Sequence, residues 1–132
     1  MIKRIIIHCS ATKEGADFSA SDIDRWHKKR GWSGIGYHYV IKLDGTIEKG
    51  RSINRWGAHT KGYNKYSYGV CYIGGLDKDG KPKDTRTDAQ KESLRKLMSE
   101  LKSIHKNAEI SGHNEFSSKA CPCYNVKEEN YG

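Results

Sequence analysis

At 132 residues, with 35% hydrophobic and 30% charged side chains, the chain has the make-up of one globular domain, not of a disordered or fibrous polymer. Its 24 basic and 16 acidic residues leave a net charge of +8, which favours anionic partners without choosing among nucleic acid, membrane surface and envelope polymer. No apolar run approaches the roughly 18 residues of a membrane helix.

The first predicted element is a strand over residues 3–9, where Ile5, Ile6 and Ile7 are apolar on both faces and place it centrally in a sheet. The apolar run behind the basic start is too short for a signal peptide, so synthesis in the cytoplasm is expected. Thiols stay reduced there, and Cys9, Cys71, Cys121 and Cys123 are read as free, with Cys9 and Cys71 buried in strands. Ser19, with Asp22 three residues on, marks a helix N-terminus. Ile23, Trp26, His27 and Arg30 follow at helical spacing, and Gly31 supplies the stop. The basic run 28–30 reads as a solvated helix face, and Trp26 and Trp32 read as core.

Residues 37–42 form a predicted strand, turned back into 46–49 by Asp44–Gly45. Alternation along it assigns Tyr37, Tyr39 and Ile41 to one face and His38 to the other. Residues 51–65 lack a period and read as a long loop holding Trp56 and His59; residues 67–74 read as another strand. Thr87 with Gln90 caps the longest helix, whose apolar face is Leu94, Leu97, Met98, Leu101 and Ile104. A last strand near 108–111 delivers His113 to the sheet edge. With no repeat and no linker, the expectation is a single α/β domain over 1–132, a central mixed sheet flanked by helices. His8, Tyr37 and His113 fall at strand ends, where sites form.

Residues 113–122 gather His113, Lys119 and Cys121 in one short loop, and His8 ends the first strand. Two imidazoles and a thiolate are a ligand set suited to catalytic zinc, with the fourth position left for water. Lys119 adds a cation where negative charge would grow on an attacked carbonyl. Spacing alone does not join them: nothing local ties His8 to the loop, and each residue by itself also reads as a structural histidine or a small buried thiol.

The strings IIIHCSAT (5–12), WHKKRGW (26–32), GYHYVIKLDGTIEKGR (36–51), GAHTKGYNKYSYGVCYIGG (57–75) and KACPCYNV (119–126) resemble the amidase-type lysozymes of T-odd coliphages. Those belong to the zinc N-acetylmuramoyl-L-alanine amidases, relatives of the peptidoglycan recognition proteins. The resemblance runs from about residue 4 to residue 127. It implies a fold like that of the recognition proteins and hydrolysis of the muramoyl–alanine amide of peptidoglycan. It implies one zinc ion on His8, His113 and Cys121, Tyr37 beside the zinc water, and Lys119 polarising the scissile carbonyl. His59 falls in a loop resembling the groove wall, where substrate contact and a purely structural role both stand open, and Trp56 is expected to face the groove. Glu115, close to His113, is read as a partner of a histidine or as solvent-exposed.

The sequence as read starts without the segment that the phage enzymes carry before the first strand, so the polymerase inhibition known for some of them is not expected here. Residues 126–132 are too short for the helix often found there. A monomer is expected, acting on cell wall after release or export, with no membrane span and no nucleic-acid partner. Two alternatives remain: a peptidoglycan-binding module without catalysis, which Cys121 disfavours, and a basic nucleic-acid- or polymerase-binding regulator, which rests on charge alone.

Overall fold

The computed structural model describes residues 1–131. Four parallel strands and one antiparallel edge strand form the main sheet, in the spatial order Ile47–Lys49, Tyr39–Ile41, Ser67–Tyr72, Arg4–Cys9 and Glu109–Gly112. The strands are β1 (Arg4–Cys9), β3 (Tyr39–Ile41), β4 (Ile47–Lys49), β5 (Ser67–Tyr72) and β7 (Glu109–Gly112). A separate two-stranded ribbon joins β2 (Thr12–Lys13) to β6 (Gly75–Leu76). Two helices, α1 (Ala20–Lys29) and α2 (Asp88–Ile104), lie between strands in the chain. The mixed sheet with flanking helices agrees with the sequence reading. The small ribbon is additional, too short to carry a periodic signal.

Alternation sorts the core into two layers. Ile5, Ile7, Val70, Tyr72 and Ile41 pack with Leu94, Leu97, Met98 and Leu101 of α2. Val40, Cys71 and Ile73 pack on the other face with Ile23 of α1 and with Ile35. Strand β1 is buried on both sides, as its isoleucines predict. Both helices begin with the expected capping boxes, Ser19 with Asp22 and Thr87 with Gln90. Ile104 departs from the predicted apolar face: it is the last helical residue, 71% exposed, beyond the reach of the sheet.

Tyr37 also departs from prediction. It packs with the α1 layer, whereas Tyr39 and Ile41 pack with the α2 layer. The cause is His38, whose Nδ1 accepts the Gly69 N–H at 3.0 Å while its own N–H donates to Gly69 O at 2.8 Å. A side chain thus occupies a rung of the ladder, regular pairing begins only at Tyr39, and alternation does not extend back to 37.

Gln90 does more than cap. Its buried amide donates to Ile73 O at 2.9 Å and Ile41 O at 3.2 Å, and Oε1 accepts from Thr87 N–H. One side chain therefore ties the start of α2 to the carboxyl ends of β3 and β5. Gln90→Leu strands buried backbone groups and should lower the unfolding free energy by about 2–4 kcal/mol. Urea denaturation checks this, and a loss below about 1 kcal/mol would mean that solvent reaches those groups.

Candidate metal centre and active site

Register brings the first two site residues together. Ile7 pairs with Gly112, so His8 and His113 are the next residues on adjacent parallel strands, with ring centroids 4.6 Å apart. His113 opens a short 3-10 turn, His113–Glu115. The Glu115 carboxylate accepts from Gly112 N–H at 2.7 Å, so it holds this turn and does not face the cleft. Cys121 arrives from the loop after it. Tyr72 anchors that loop by donating to Pro122 O at 2.7 Å, and Cys9 N–H donates to Cys121 Sγ at 3.2 Å. The ligand atoms of His8, His113 and Cys121 lie within 4.8 Å of one another, the only such cluster of histidine, cysteine and acidic side chains among the described residues. A metal ion fits this donor set.

The hydrogen bonds fix which nitrogen of His8 is free. Ser67 Oγ lies 2.6 Å from Tyr63 O and 3.3 Å from Asn64 O, so its proton goes to a carbonyl and Oγ accepts from His59 Nε2 at 3.2 Å. His59 Nδ1 then bears a lone pair, 2.9 Å from both His8 Nε2 and Thr60 Oγ1. His8 Nε2 must therefore donate, either directly or to Thr60 Oγ1 at 3.2 Å. What remains is the Nδ1 lone pair of His8, 3.9 Å from Cys121 Sγ and available to a metal. Burial holds all of these rings neutral. It drives His8 well below the ordinary histidine range, helped by His59, His113 and Lys119. His59 is pushed down to about 3, and His113 is lowered by burial and by Lys119. Gly69 permits the arrangement, because a Cβ there would stand 2.6 Å from the His59 ring.

The other expected residues fall around this core. The Tyr37 ring lies 5.1 Å from His8, and burial, with the sulfurs of Cys71, Cys121 and Cys9, keeps its phenol protonated. Lys119 is exposed and lines both hollows that meet at the cluster. One is a cleft of about 190 Å³ with Tyr37, His27, Arg30, Trp26, His113 and Cys121 on its walls. The other is a shallower depression of about 450 Å³ that includes Trp32, His59, Lys61, His113 and Phe116. Trp56 lines neither. It stands 60% exposed under Lys65, beside a separate hollow that shares Asn64 with the second. Trp32 is 38% exposed on the groove wall rather than core. Cys123 stays outside the ligand cluster: its thiol donates to Gly75 O at 3.2 Å and is pushed up to about 12 by burial. All four cysteines are free thiols.

Sequence reasoning missed Thr60, Ser67 and Arg30. The first two act through contacts between distant segments. Arg30 sat in a basic run that looked like an ordinary solvated helix face.

The N-acetylmuramoyl-L-alanine amidase family matches residues 1–124, and the chain belongs to that family. It is 45% identical over 123 residues to an endolysin of Escherichia phage T7, covering 93% of this chain and 82% of that one. It superposes on the N-acetylmuramoyl-L-alanine amidase LysC from Clostridium intestinale with a TM-score of 0.82 at 31% identity, covering 97% and 81% of the two chains. Bumblebee peptidoglycan recognition protein SA aligns with a TM-score of 0.81 at 28% identity over 98% of this chain and 81% of that one.

In metal-free protein near neutral pH, nitrogen-resolved NMR should find His8, His59 and His38 all protonated on Nε2. Ser67→Ala should release His59 into a mixture of tautomers. A proton on His8 Nδ1 in the parent protein would contradict this donor chain.

Proposed function

We propose that the protein hydrolyses the amide joining N-acetylmuramic acid to L-alanine in peptidoglycan, with one zinc ion held by His8, His113 and Cys121. The observation that carries this reading is the convergence of two neutral imidazoles and a sulfur where two hollows meet, beside Lys119. A zinc ion so held would supply a water activated near neutral pH and a Lewis acid.

The chain's own groups account for the rest. The two hollows accept the glycan and peptide sides of the substrate, which places the scissile carbonyl near His113 and Lys119. The Lys119 ammonium offers positive charge to the oxygen that becomes anionic on attack. Tyr37 remains a phenol and donates a hydrogen bond to the attacking water or to the same oxygen. No Asp or Glu lines the cleft around the cluster, so Tyr37 and Lys119 are the side chains there that can donate to the oxygen of the attacked carbonyl. His59 supports the metal face from behind and shows an edge to the second hollow. Cys121 held by the Cys9 N–H favours catalysis over simple peptidoglycan binding. No helix of the described residues is long and apolar enough to cross a membrane. The enzyme acts as a monomer on cell wall after release.

Mass spectrometry of digested peptidoglycan tests the bond. Free stem peptides beginning with alanine are expected, and fragments cut within the glycan would overturn the reading. Cys121→Ala should lose zinc, because two imidazoles alone make a weak site; one zinc per chain retained in that variant would refute the ligand set.

Lys119→Ala should keep its zinc and slow hydrolysis about 10²–10³-fold. Tyr37→Phe should bind metal and wall fragments normally but turn over slowly, whereas Tyr39→Phe, in the α2 layer, should be nearly silent. The reverse order for the two tyrosines would move the catalytic phenol elsewhere.

A further inference from the structure

Around the cluster, the 190 Å³ cleft carries a second cation besides Lys119. Arg30 follows the last residue of α1, and its side chain lines the cleft with Tyr37, His27 and Trp26. Its neighbours on the helix are paired, Arg25 with Asp22 at 2.6 Å and Lys28 with Asp24 at 2.9 Å. Arg30 has no carboxylate partner among the described residues. Only the Trp32 ring faces its guanidinium, 5.8 Å away. The cleft wall itself holds no acid. A guanidinium left without an anion beside a reaction centre is a prepared anion site, and its fork of donors matches a carboxylate.

The substrate chemistry of the amidase reading, on which this inference rests, supplies one anion close to the scissile bond. On the peptide side of the muramoyl–alanine amide, the first negative charge is the α-carboxylate of the γ-linked D-glutamate that follows L-alanine. An extended chain advances about 3.5 Å per residue, so this group lies roughly 7 Å from the scissile bond, and Arg30 lines the same cleft as His113, Lys119 and Cys121. The muramic lactyl group offers no charge while the amide is intact. We propose that Arg30 binds this α-carboxylate, which assigns the peptide arm of the substrate to the α1 cleft and the glycan arm to the hollow over Trp32 and His59. Arg30 is then a specificity-determining residue that prefers a free D-glutamate carboxyl to its amide.

Two probes separate the possibilities: the peptide L-Ala-γ-D-Glu-L-Lys and the same peptide carrying the α-amide at its second residue. Calorimetric titration should show the acid binding parent protein roughly 10–100-fold more tightly than it binds Arg30→Gln. The amide should bind both proteins alike, and Arg30→Lys should recover part of the difference. Lys61→Gln, which removes a cation that lines only the other hollow, should change neither affinity. Equal affinity of the parent for acid and amide overturns the proposal, and so does discrimination that disappears in Lys61→Gln instead. Replacing the third residue by diaminopimelate tests the rival carboxylate: if Arg30→Gln weakens only that peptide, the assignment to D-glutamate is wrong. Hydrolysis is scored separately on intact muropeptide. Cleavage without discrimination sinks the Arg30 assignment alone, and discrimination without cleavage sinks the amidase reading while leaving the carboxylate site.

Discussion

Strand β1 lies between two parallel neighbours, and the site depends on that register. Pairing of Ile7 with Gly112 on one side and of His8 with Cys71 on the other sets His8 beside His113 and over the Tyr37 layer. A slip of one residue would turn His8 into the apolar α2 layer and an isoleucine into the cleft. Because Ile5, Ile6 and Ile7 are wholly buried, that slip would leave a polar ring in the core with no partner. The hydrophobic pattern therefore fixes the position of a ligand. Carboxyl ends of parallel strands are where an open sheet gathers loops, and His8, His113 and the loop carrying Lys119 and Cys121 come together there, while His59 reaches the cluster over the sheet face from the amino end of β5, bonded to Ser67 and lying against Gly69.

Electrostatics complete the preparation. Burial keeps the rings neutral, and the proton-bearing nitrogens of His8 and His59 each have an acceptor. The run Tyr63 O, Ser67, His59, His8 ends in a lone pair aimed at the cluster. Cys9 remains a thiol, its own ionisation opposed by the Cys121 sulfur and by burial, while its backbone N–H supports that sulfur. Around these donors the cleft wall shows cations and no acid, an arrangement suited to an anionic peptide and to charge growing on an attacked oxygen.

Local signals were legible in the sequence wherever the physics was local. Ser19 with Asp22 and Thr87 with Gln90 mark both helix starts, and the isoleucine run marks the central strand. The ligand trio was visible as chemistry, but only resemblance joined His8 to residues more than a hundred positions away. Tyr37 was assigned to the wrong layer, since the bond between His38 and Gly69 is long-range and resets the alternation. Arg30 and Lys28 are indistinguishable in a basic run, yet the helix ends so that Lys28 meets Asp24 and Arg30 meets the cleft. His59 offers two readings because its ring is bonded behind the cluster and also lines the second hollow.

The central claim is that His8, His113 and Cys121 together hold one metal ion with a position left open. Absorption spectroscopy of protein loaded with cobalt(II) in place of zinc tests it most directly. A thiolate-to-metal charge-transfer band and the intense visible bands of four-coordinate cobalt are expected, with the charge-transfer band lost in Cys121→Ser and retained in Cys123→Ser. A charge-transfer band that survives Cys121→Ser, or that vanishes in Cys123→Ser, would contradict it.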